Sequence, residues 1–286
     1  MTFQGISKLR EGAELSRRTE LIIPGPAEAL AGLLDIPVPP RQDGDFLPPL
    51  WHWIYLLEKF PQRNLGLDGH PTHGIPAPPG PGRLRMFAGG RVTLFSQLRF
   101  GAVATRTARV VSTLEKEGKS GALTFVKVAI TIKQEGKLVL LEEQDIVYRA
   151  ASSRLQIQEA VVDQVPEPLL EKRGQLEMVV DPMVLFRFSA LTYNAHRIHY
   201  DGAYAAEEGY PGLVVHGPMQ ALLMGECLRR SEVAMLNQEF VYRLVAPTYG
   251  EQRLVINSYV EGKGFVARVQ DGIGRVTATA TLQSRQ

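Results

Sequence analysis

Residues 187–221 decide the fold: they read RFSALTYNAHRIHYD at 187–201, GAYAAEEG at 202–209 and YPGLVVHGPMQA at 210–221. This pattern predicts a strand, a polar loop, a short helix, a tight loop and a long helix. Asp201 is a typical N-cap and Gly209 a typical C′ residue for the short helix. The long helix is expected to begin at Gly217-Pro218, since proline is favoured in a first turn. Its apolar spacing predicts a buried stripe of Met219, Leu222, Leu223, Cys227 and Leu228.

The start of the long helix and the histidines before it predict chemistry beside a carbonyl group. The first amides of a helix have no intrahelical partner, and the positive helix end favours an oxygen that gains negative charge. His196 and His199 precede this helix, and imidazole carries protons near neutral pH. We therefore expect an acid–base centre beside an oxyanion site at Gly217.

The rest of the chain is predicted to form two halves, 1–155 and 175–286, separated by a polar, proline-containing segment at 150–174. Each half places helices before an antiparallel meander, so the predicted class is α+β. Helices are expected at 26–34 and 50–60, the second apolar almost all round and therefore buried. Strands are predicted at 92–98, 105–114, 123–132, 138–148, 240–245, 254–260, 264–269 and 275–282.

Residues 66–82 are rich in proline and glycine and predict a surface or lid loop. His70 and His73 lie three residues apart in it, with only Asp68 nearby, so no metal site is predicted. Cys227, the single cysteine, is expected to be a buried apolar residue rather than a nucleophile.

Composition excludes several partners. A net charge of +2, from 32 basic and 30 acidic residues, is too small for the basic field typical of nucleic-acid binding. No apolar run reaches the roughly 18 residues of a membrane helix, and the first residues lack the apolar core of a secretion signal. One cysteine cannot form an internal disulfide, which favours the cytoplasm.

Residues 186–221 resemble the hydratase motif of the MaoC-like, or R-specific enoyl-CoA hydratase, family of hot-dog folds. In that motif Asp-x-Asn-Pro-x-His precedes a helix, and a later His-Gly opens the central helix. The spelling Asn194-Ala-His-Arg-Ile-His199 is similar to the two-domain branch that contains mesaconyl-CoA and itaconyl-CoA hydratases and the type 2 hydroxyacyl-thioester dehydratase. The resemblance implies a double hot-dog, each half a long helix wrapped by an antiparallel sheet, with the C-terminal half catalytic and the N-terminal half not.

The resemblance also implies roles for single residues. His199 matches the general base, and the Gly217 N–H, with His216 just before it, would bind the thioester oxygen. The family's aspartate falls on Asn194, whose amide can hold water or ligand but cannot exchange a proton as a carboxylate does. Either Asn194 orients the reaction for His199, or Tyr193 or His196 takes the second proton-transfer role.

Several further residues are candidates for contacts with the substrate. Arg197 is the first candidate to hold a distal carboxylate, because arginine pairs with carboxylates in a bidentate way. Its rivals are Arg99, Arg106 and Arg187. Trp51 and Trp53 are most simply core residues, although the helix that carries them could floor an acyl tunnel.

The resemblance implies a hydro-lyase that adds water to a short branched enoyl-CoA, itaconyl-CoA or mesaconyl-CoA, to give citramalyl-CoA. No metal or redox cofactor is needed for this chemistry. One alternative is a 3-hydroxyacyl-thioester dehydratase of fatty-acid metabolism, and another is a non-catalytic acyl-CoA-binding hot-dog protein. The resemblance further suggests a homodimer.

Overall fold

A computed structural model describes residues 14–76, 83–118, 121–150, 174–262 and 264–284. The predicted boundary segment between the halves falls almost wholly on residues 151–173, which lie outside the described residues. The first half contributes strands β1 (Glu14–Leu21), β2 (Arg83–Leu94), β3 (Val103–Gly118), β4 (Gly121–Gln134) and β5 (Lys137–Ala150). The second contributes strands β6 (Gln175–Val180), β7 (Gln238–Leu244), β8 (Gln252–Glu261), β9 (Gly264–Gln270) and β10 (Val276–Ser284).

All ten strands form one antiparallel sheet, in the order β1-β3-β4-β5-β2-β7-β10-β9-β8-β6. The halves join where β2 pairs with β7, from Gly89 opposite Arg243 to Thr93 opposite Glu239. Side chains are excluded at this seam: a Cβ on Gly89 would lie 2.4 Å from the Tyr242 carbonyl oxygen, and one on Gly90 would lie 2.2 Å from the carbonyl oxygen of Glu143. The predicted meanders are confirmed, and the two glycines let them merge.

Four α-helices lie in the described ranges: α1 (Pro24–Leu33), α2 (Pro182–Thr192), α3 (Gly202–Glu207) and α4 (Gly217–Arg230). Short 3₁₀ turns cover Trp51–Ile54, Gln62–Asn64 and Arg197–His199. None of these helices is long and apolar enough to cross a bilayer.

Helix α4 is the central helix of the second half, packed against β2 and β6–β10. Its start at Gly217 and its buried stripe are as predicted, and all of 219–228 is buried. Burial also raises the pKa of the Cys227 thiol, in keeping with an unreactive side chain. The caps of α3 are confirmed as well: the Asp201 side chain accepts the Tyr204 N–H at 3.0 Å, and Gly209 has a φ of +91°.

The predicted helix at 50–60 is wrong. Only the 3₁₀ turn Trp51–Ile54 forms, because Leu50 and Leu56 both adopt left-handed backbone, with φ of +66° and +55°. The two indoles explain the burial without a helix: Trp51 Nε1 donates to Glu226 at 3.3 Å and Trp53 Nε1 donates to Glu142 at 2.9 Å. The described part of the first half therefore lacks the long central helix that we expected there. The ten-residue α1 packs instead against α2 and this turn.

The predicted strand at the start of 187–221 is also wrong. Residues 182–192 form helix α2, since Asp181 caps it by accepting the Val184 N–H at 2.8 Å and Pro182 occupies the first turn. The helix ends at Tyr193, whose φ is +51°. The capping residue Asp181 lies before residue 187, where the quoted stretch begins. The apolar pattern of the stretch alone therefore predicted a strand where the protein forms a helix.

A buried carboxylate, that of Glu142, binds the 3₁₀ turn Trp51–Ile54 through hydrogen bonds. Glu142 is 1% exposed and accepts from Trp53 at 2.9 Å and from Gln144 at 2.8 Å, with His52 Nε2 at 3.2 Å. Burial alone raises the pKa of Glu142, but the hydrogen bonds from His52, Gln144 and Trp53 outweigh burial and hold the pKa below its usual value.

Glu142→Gln is expected to lower the free energy of unfolding by about 2 kcal/mol, because a buried donor would face an amide N–H and lose its acceptor. A carboxylate with a lowered folded pKa stabilises fully above its unfolded pKa and loses that contribution as the pH falls through the folded pKa. Wild-type stability should therefore fall more steeply than that of the variant below the ordinary glutamate value of 4.5. Urea unfolding followed by circular dichroism across pH measures both effects.

Glu143→Gln is the matched control, since Glu143 is the next residue on β5 but pairs with Lys127 at 3.2 Å in a partly exposed position. It should change stability by less than about 0.5 kcal/mol. Equal losses in the two variants would contradict the role given to Glu142.

Candidate active site

A cavity of about 740 Å³ lies between the two halves. Its walls come from 58–76 and β2 of the first half, and from α2, 193–195 and the start of α4 in the second half. Of the predicted site residues, Trp53, Tyr193 and Asn194 line it, and Pro218, next to Gly217, also does. The volume is in the range of ordinary small-molecule sites.

His199 sits at the end of the 3₁₀ turn Arg197–His199 and is 7% exposed. The residues that line the cavity include its chain neighbour Tyr200 but not His199, His196, His216 or Gly217. Its Nδ1 lies 2.7 Å from the Val214 carbonyl oxygen, which can only accept, so Nδ1 carries the proton. Nε2 has no hydrogen-bond partner among the described residues and keeps its lone pair. Burial and the neighbouring His196 lower the pKa of His199 to about 3, against the Val214 hydrogen bond, so the ring is a neutral base at pH 7.

The ring of His199 stacks on His216, with centroids 3.6 Å apart and planes at 19°. His216 precedes α4, and its Nε2 is 2.8 Å from the hydroxyl of Ser189, which lines the cavity. The Gly217 N–H opens α4 and has no hydrogen-bond partner among the described residues, as expected for a first-turn amide. The Leu244 side chain packs closely on this glycine, since a Cβ there would lie 2.1 Å from Leu244 Cδ1 unless that side chain moved. The predicted base and the predicted oxyanion amide are thus next to each other.

Asn194 connects this pair to the cavity. Its Oδ1 accepts the His196 N–H at 2.9 Å, and its own N–H donates to the Ser189 carbonyl at 2.9 Å. The Nδ2 group has no partner in the described ranges, and the side chain lines the cavity. Tyr193 ends α2 and lies at the rim, 58% exposed.

The described part of the Pro-rich loop, 66–76, is not simply a surface loop: Leu67 is 89% exposed, but His70 is buried and lines the cavity. Residues 77–82 of the predicted loop lie outside the described residues. Asp68 accepts from the backbone N–H of His70 and lies 2.9 Å from its Nδ1. Burial raises the pKa of Asp68, but the His70 hydrogen bonds outweigh burial and lower it to about 2. The His70 ring packs on His196 at 4.0 Å, and His196 meets His199 edge-on at 5.5 Å. The sequence shows Asp68 near His70, but its composition predicted only a loop for both residues and did not place them at the site. Their one local signal is the Asp-x-His spacing around Gly69.

The loop is fastened to the motif through its backbone. Arg197 N–H donates to the Asp68 carbonyl at 2.9 Å, and Arg197 Nη1 donates to the Leu67 carbonyl at 3.1 Å. Gly69 lies so close that a Cβ would be 1.7 Å from the Ala195 carbonyl oxygen. First-half residues are therefore built into the site.

Arg197 and Trp51 lie outside the cavity lining. The Arg197 guanidinium donates to Asp201 at 3.0 and 2.6 Å and lies 4.2 Å from the centroid of the Tyr204 ring. Arg197 therefore links the loop at 67–69 to the segment at 197–204, and its guanidinium is already paired with Asp201. Of its rivals, Arg99 pairs with Glu135, and Arg106 lies 3.5 Å from Glu58. The arginine that does line the cavity is Arg85 on β2, which the sequence did not single out.

The fold and this site define the class of protein. The structure superposes on a MaoC-like dehydratase from Phytophthora capsici with a TM-score of 0.67, at 13% identity, covering 96% of this chain and 97% of that one. The fold is the double hot-dog of MaoC-like proteins.

Residues 50–250 match the profile of the family described as hydroxyacyl-thioester dehydratase type 2, and the chain belongs to that family. It is 41% identical to the mesaconyl-C(4)-CoA hydratase of Chloroflexus aurantiacus over 262 residues, which cover 90% of this chain and 91% of that protein. It is 25% identical over 240 residues to the mitochondrial hydroxyacyl-thioester dehydratase type 2 of Schizosaccharomyces pombe, covering 73% and 77%. The protein is therefore an enzyme of the hydratase and dehydratase type, and the non-catalytic alternative is not retained.

Gly69→Ala is expected to lower the free energy of unfolding by at least about 2 kcal/mol and to reduce activity, because it combines the clash with Ala195 and a side chain at a φ of +87°. Gly136→Ala is the control: its φ is +76°, but a Cβ there meets nothing within 4 Å. That variant should lose only about 1 kcal/mol and keep its activity. Similar behaviour of the two variants, in thermal unfolding and turnover, would contradict the docking of the loop on the motif.

Proposed function

We propose that the protein adds water across the double bond of a short, branched, dicarboxylic enoyl-CoA, mesaconyl-CoA or itaconyl-CoA, to form citramalyl-CoA. The observation that carries the reaction is a neutral imidazole, His199, with its tautomer set by Val214 and its ring stacked at the start of α4. The identity to a mesaconyl-C(4)-CoA hydratase over nine-tenths of the chain supports the substrate.

The proposed first step takes place at the thioester. The carbonyl oxygen accepts the Gly217 N–H, and the positive end of α4 stabilises the negative charge that develops on this oxygen. In mesaconyl-C4-CoA the double bond is conjugated with the thioester. His199 Nε2 takes a proton from water while the water oxygen bonds to the β-carbon, and the electrons of the double bond move onto the thioester as an enolate.

In the second step the imidazolium returns that proton to the α-carbon, so His199 is neutral again and the atoms of one water molecule have been added. The Nδ2 group of Asn194 orients the water and transfers no proton. This assignment is preferred to a role for Tyr193, which lies at the exposed rim, or for His196, whose ring lies against those of His70 and His199.

A second candidate is the dehydration of 3-hydroxyacyl thioesters, which the family profile and the Schizosaccharomyces relative favour. The chemistry is the same reaction in reverse. A panel of enoyl-CoAs and 3-hydroxyacyl-CoAs of increasing chain length separates the two, since a preference for long unbranched acyl chains would reject the dicarboxylic substrate.

His199→Gln should reduce kcat/KM by roughly 10²- to 10⁴-fold, the usual contribution of a general base, because the amide can still donate to Val214 but cannot take a proton. Loss of absorbance by the conjugated thioester measures the rate. An unchanged unfolding midpoint shows that the fold is retained. Wild-type activity in this variant would remove His199 from the mechanism.

The pH profile tests the same residue independently. With a pKa of about 3 for His199, the base is neutral at any higher pH, so kcat/KM should stay nearly constant from pH 8 to pH 5. A histidine of ordinary pKa near 6.5 would lose roughly 30-fold by pH 5. An acid limb centred near 6.5, in protein that remains folded, would contradict the proposed environment.

A further inference from the structure

Arg85 is the one arginine or lysine among the described residues that line the cavity. It lies on β2 opposite Tyr148 of β5, and its side chain hydrogen-bonds to that tyrosine. Removal from bulk water lowers the pKa of Arg85, which shows that its environment disfavours the positive charge. A cation in such a place is costly unless an anion joins it.

Among the described residues Asp68 offsets this cost only in part, because its carboxylate raises the pKa of Arg85 by less than burial lowers it. No carboxylate within them lies within ion-pair distance of Arg85, and the nearby Asp68 directs both its oxygens to His70. Glu58, the other acidic residue near this wall, lies 3.1 Å from Arg18 and 3.5 Å from Arg106. Arg85 therefore keeps guanidinium donors for a ligand.

The surroundings favour an acyl group over the phosphates of coenzyme A. Trp53, Phe87 and Ile75 line the same cavity, and Trp53 and Phe87 both contact the buried ring of Tyr242. An apolar wall with a single fixed cation suits a short carbon chain that ends in a carboxylate, because the planar guanidinium pairs with both carboxylate oxygens.

The geometry points to Arg85 as the residue that selects dicarboxylic acyl groups, binding the distal carboxylate while the thioester oxygen lies at Gly217. This assignment rests on the proposed function and names the residue that sets its substrate class. It gives Arg85 the role that the sequence predicted for Arg197.

The test compares two substrates of nearly equal shape. Mesaconyl-C4-CoA and 3-methylcrotonyl-CoA differ by a carboxylate in one and a methyl group in the other. Arg85→Gln should reduce kcat/KM for the first by about 100-fold or more, as expected for the loss of a charge-assisted bidentate pair, and for the second by less than about threefold. Comparing each variant with wild type on both substrates cancels their different intrinsic reactivity.

Two further variants secure the result. Arg85→Lys keeps the charge but loses the bidentate geometry, so it should lose about tenfold on the dicarboxylate alone and remains informative should the Gln variant fail to fold. Arg91→Gln is the matched control on the same strand, because Arg91 is exposed and pairs with Glu143 and Glu239 at 3.4 and 3.6 Å. It should leave both substrates unaffected.

The outcomes separate the two levels of the proposal. Equal losses on both substrates in the Arg85 variants would show that Arg85 contacts the coenzyme or contributes to folding. That result would overturn the assignment of Arg85 but would not contradict the proposed hydration reaction. Wild-type protein that hydrates neither substrate would overturn the proposed function, and the assignment with it.

Discussion

The site depends on the close approach of two loops from different halves, and that approach depends on the missing side chain of Gly69. The backbone at 67–69 lies on the motif loop at 195–197, held by two hydrogen bonds from Arg197. This contact brings Asp68 and His70 beside His196 and closes the cavity on the side of the first half. The half without the hydratase motif is therefore a structural part of the site.

Hydrogen bonds between buried polar groups fix the orientation of the other side chains at the site, and each of these bonds can be assigned to a particular partner. Val214 selects the tautomer of His199, Asp68 orients His70, and Glu142 receives the indole of Trp53. The buried imidazoles of His70, His199 and His216 all have lowered pKa values, with burial as the first cause. Close packing of these rings is feasible because neutral imidazoles do not repel one another as imidazolium ions would.

Local sequence signals predicted the part of the site between His199 and Gly217, but not the helix Pro182–Thr192 that precedes it. His199, His216 and Gly217 come together because a short helix with clear caps and a tight loop separate them, and local signals describe such elements well. His70 and Arg85 line the cavity from more than 100 residues earlier in the chain, and Asp68 lies beside His70. Only tertiary packing brings these residues to the cavity. The periodicity of the sequence contains no signal for such a long-range contact. The aromatic run at 50–60 misled for another reason: an almost wholly apolar segment indicates burial but does not distinguish a helix from a folded-back turn.

The continuous sheet limits how ligands enter and leave. Because β2 and β7 are hydrogen-bonded across the seam at 89–93, with glycines that admit no side chain, the two halves cannot swing apart about a hinge without breaking backbone pairing at the centre of the molecule. Passage of a ligand then depends on smaller displacements at the rim, where the exposed Phe186 and Tyr193 border the cavity. In such an architecture we expect ligand exchange to depend on movements of side chains and loops rather than on domain opening.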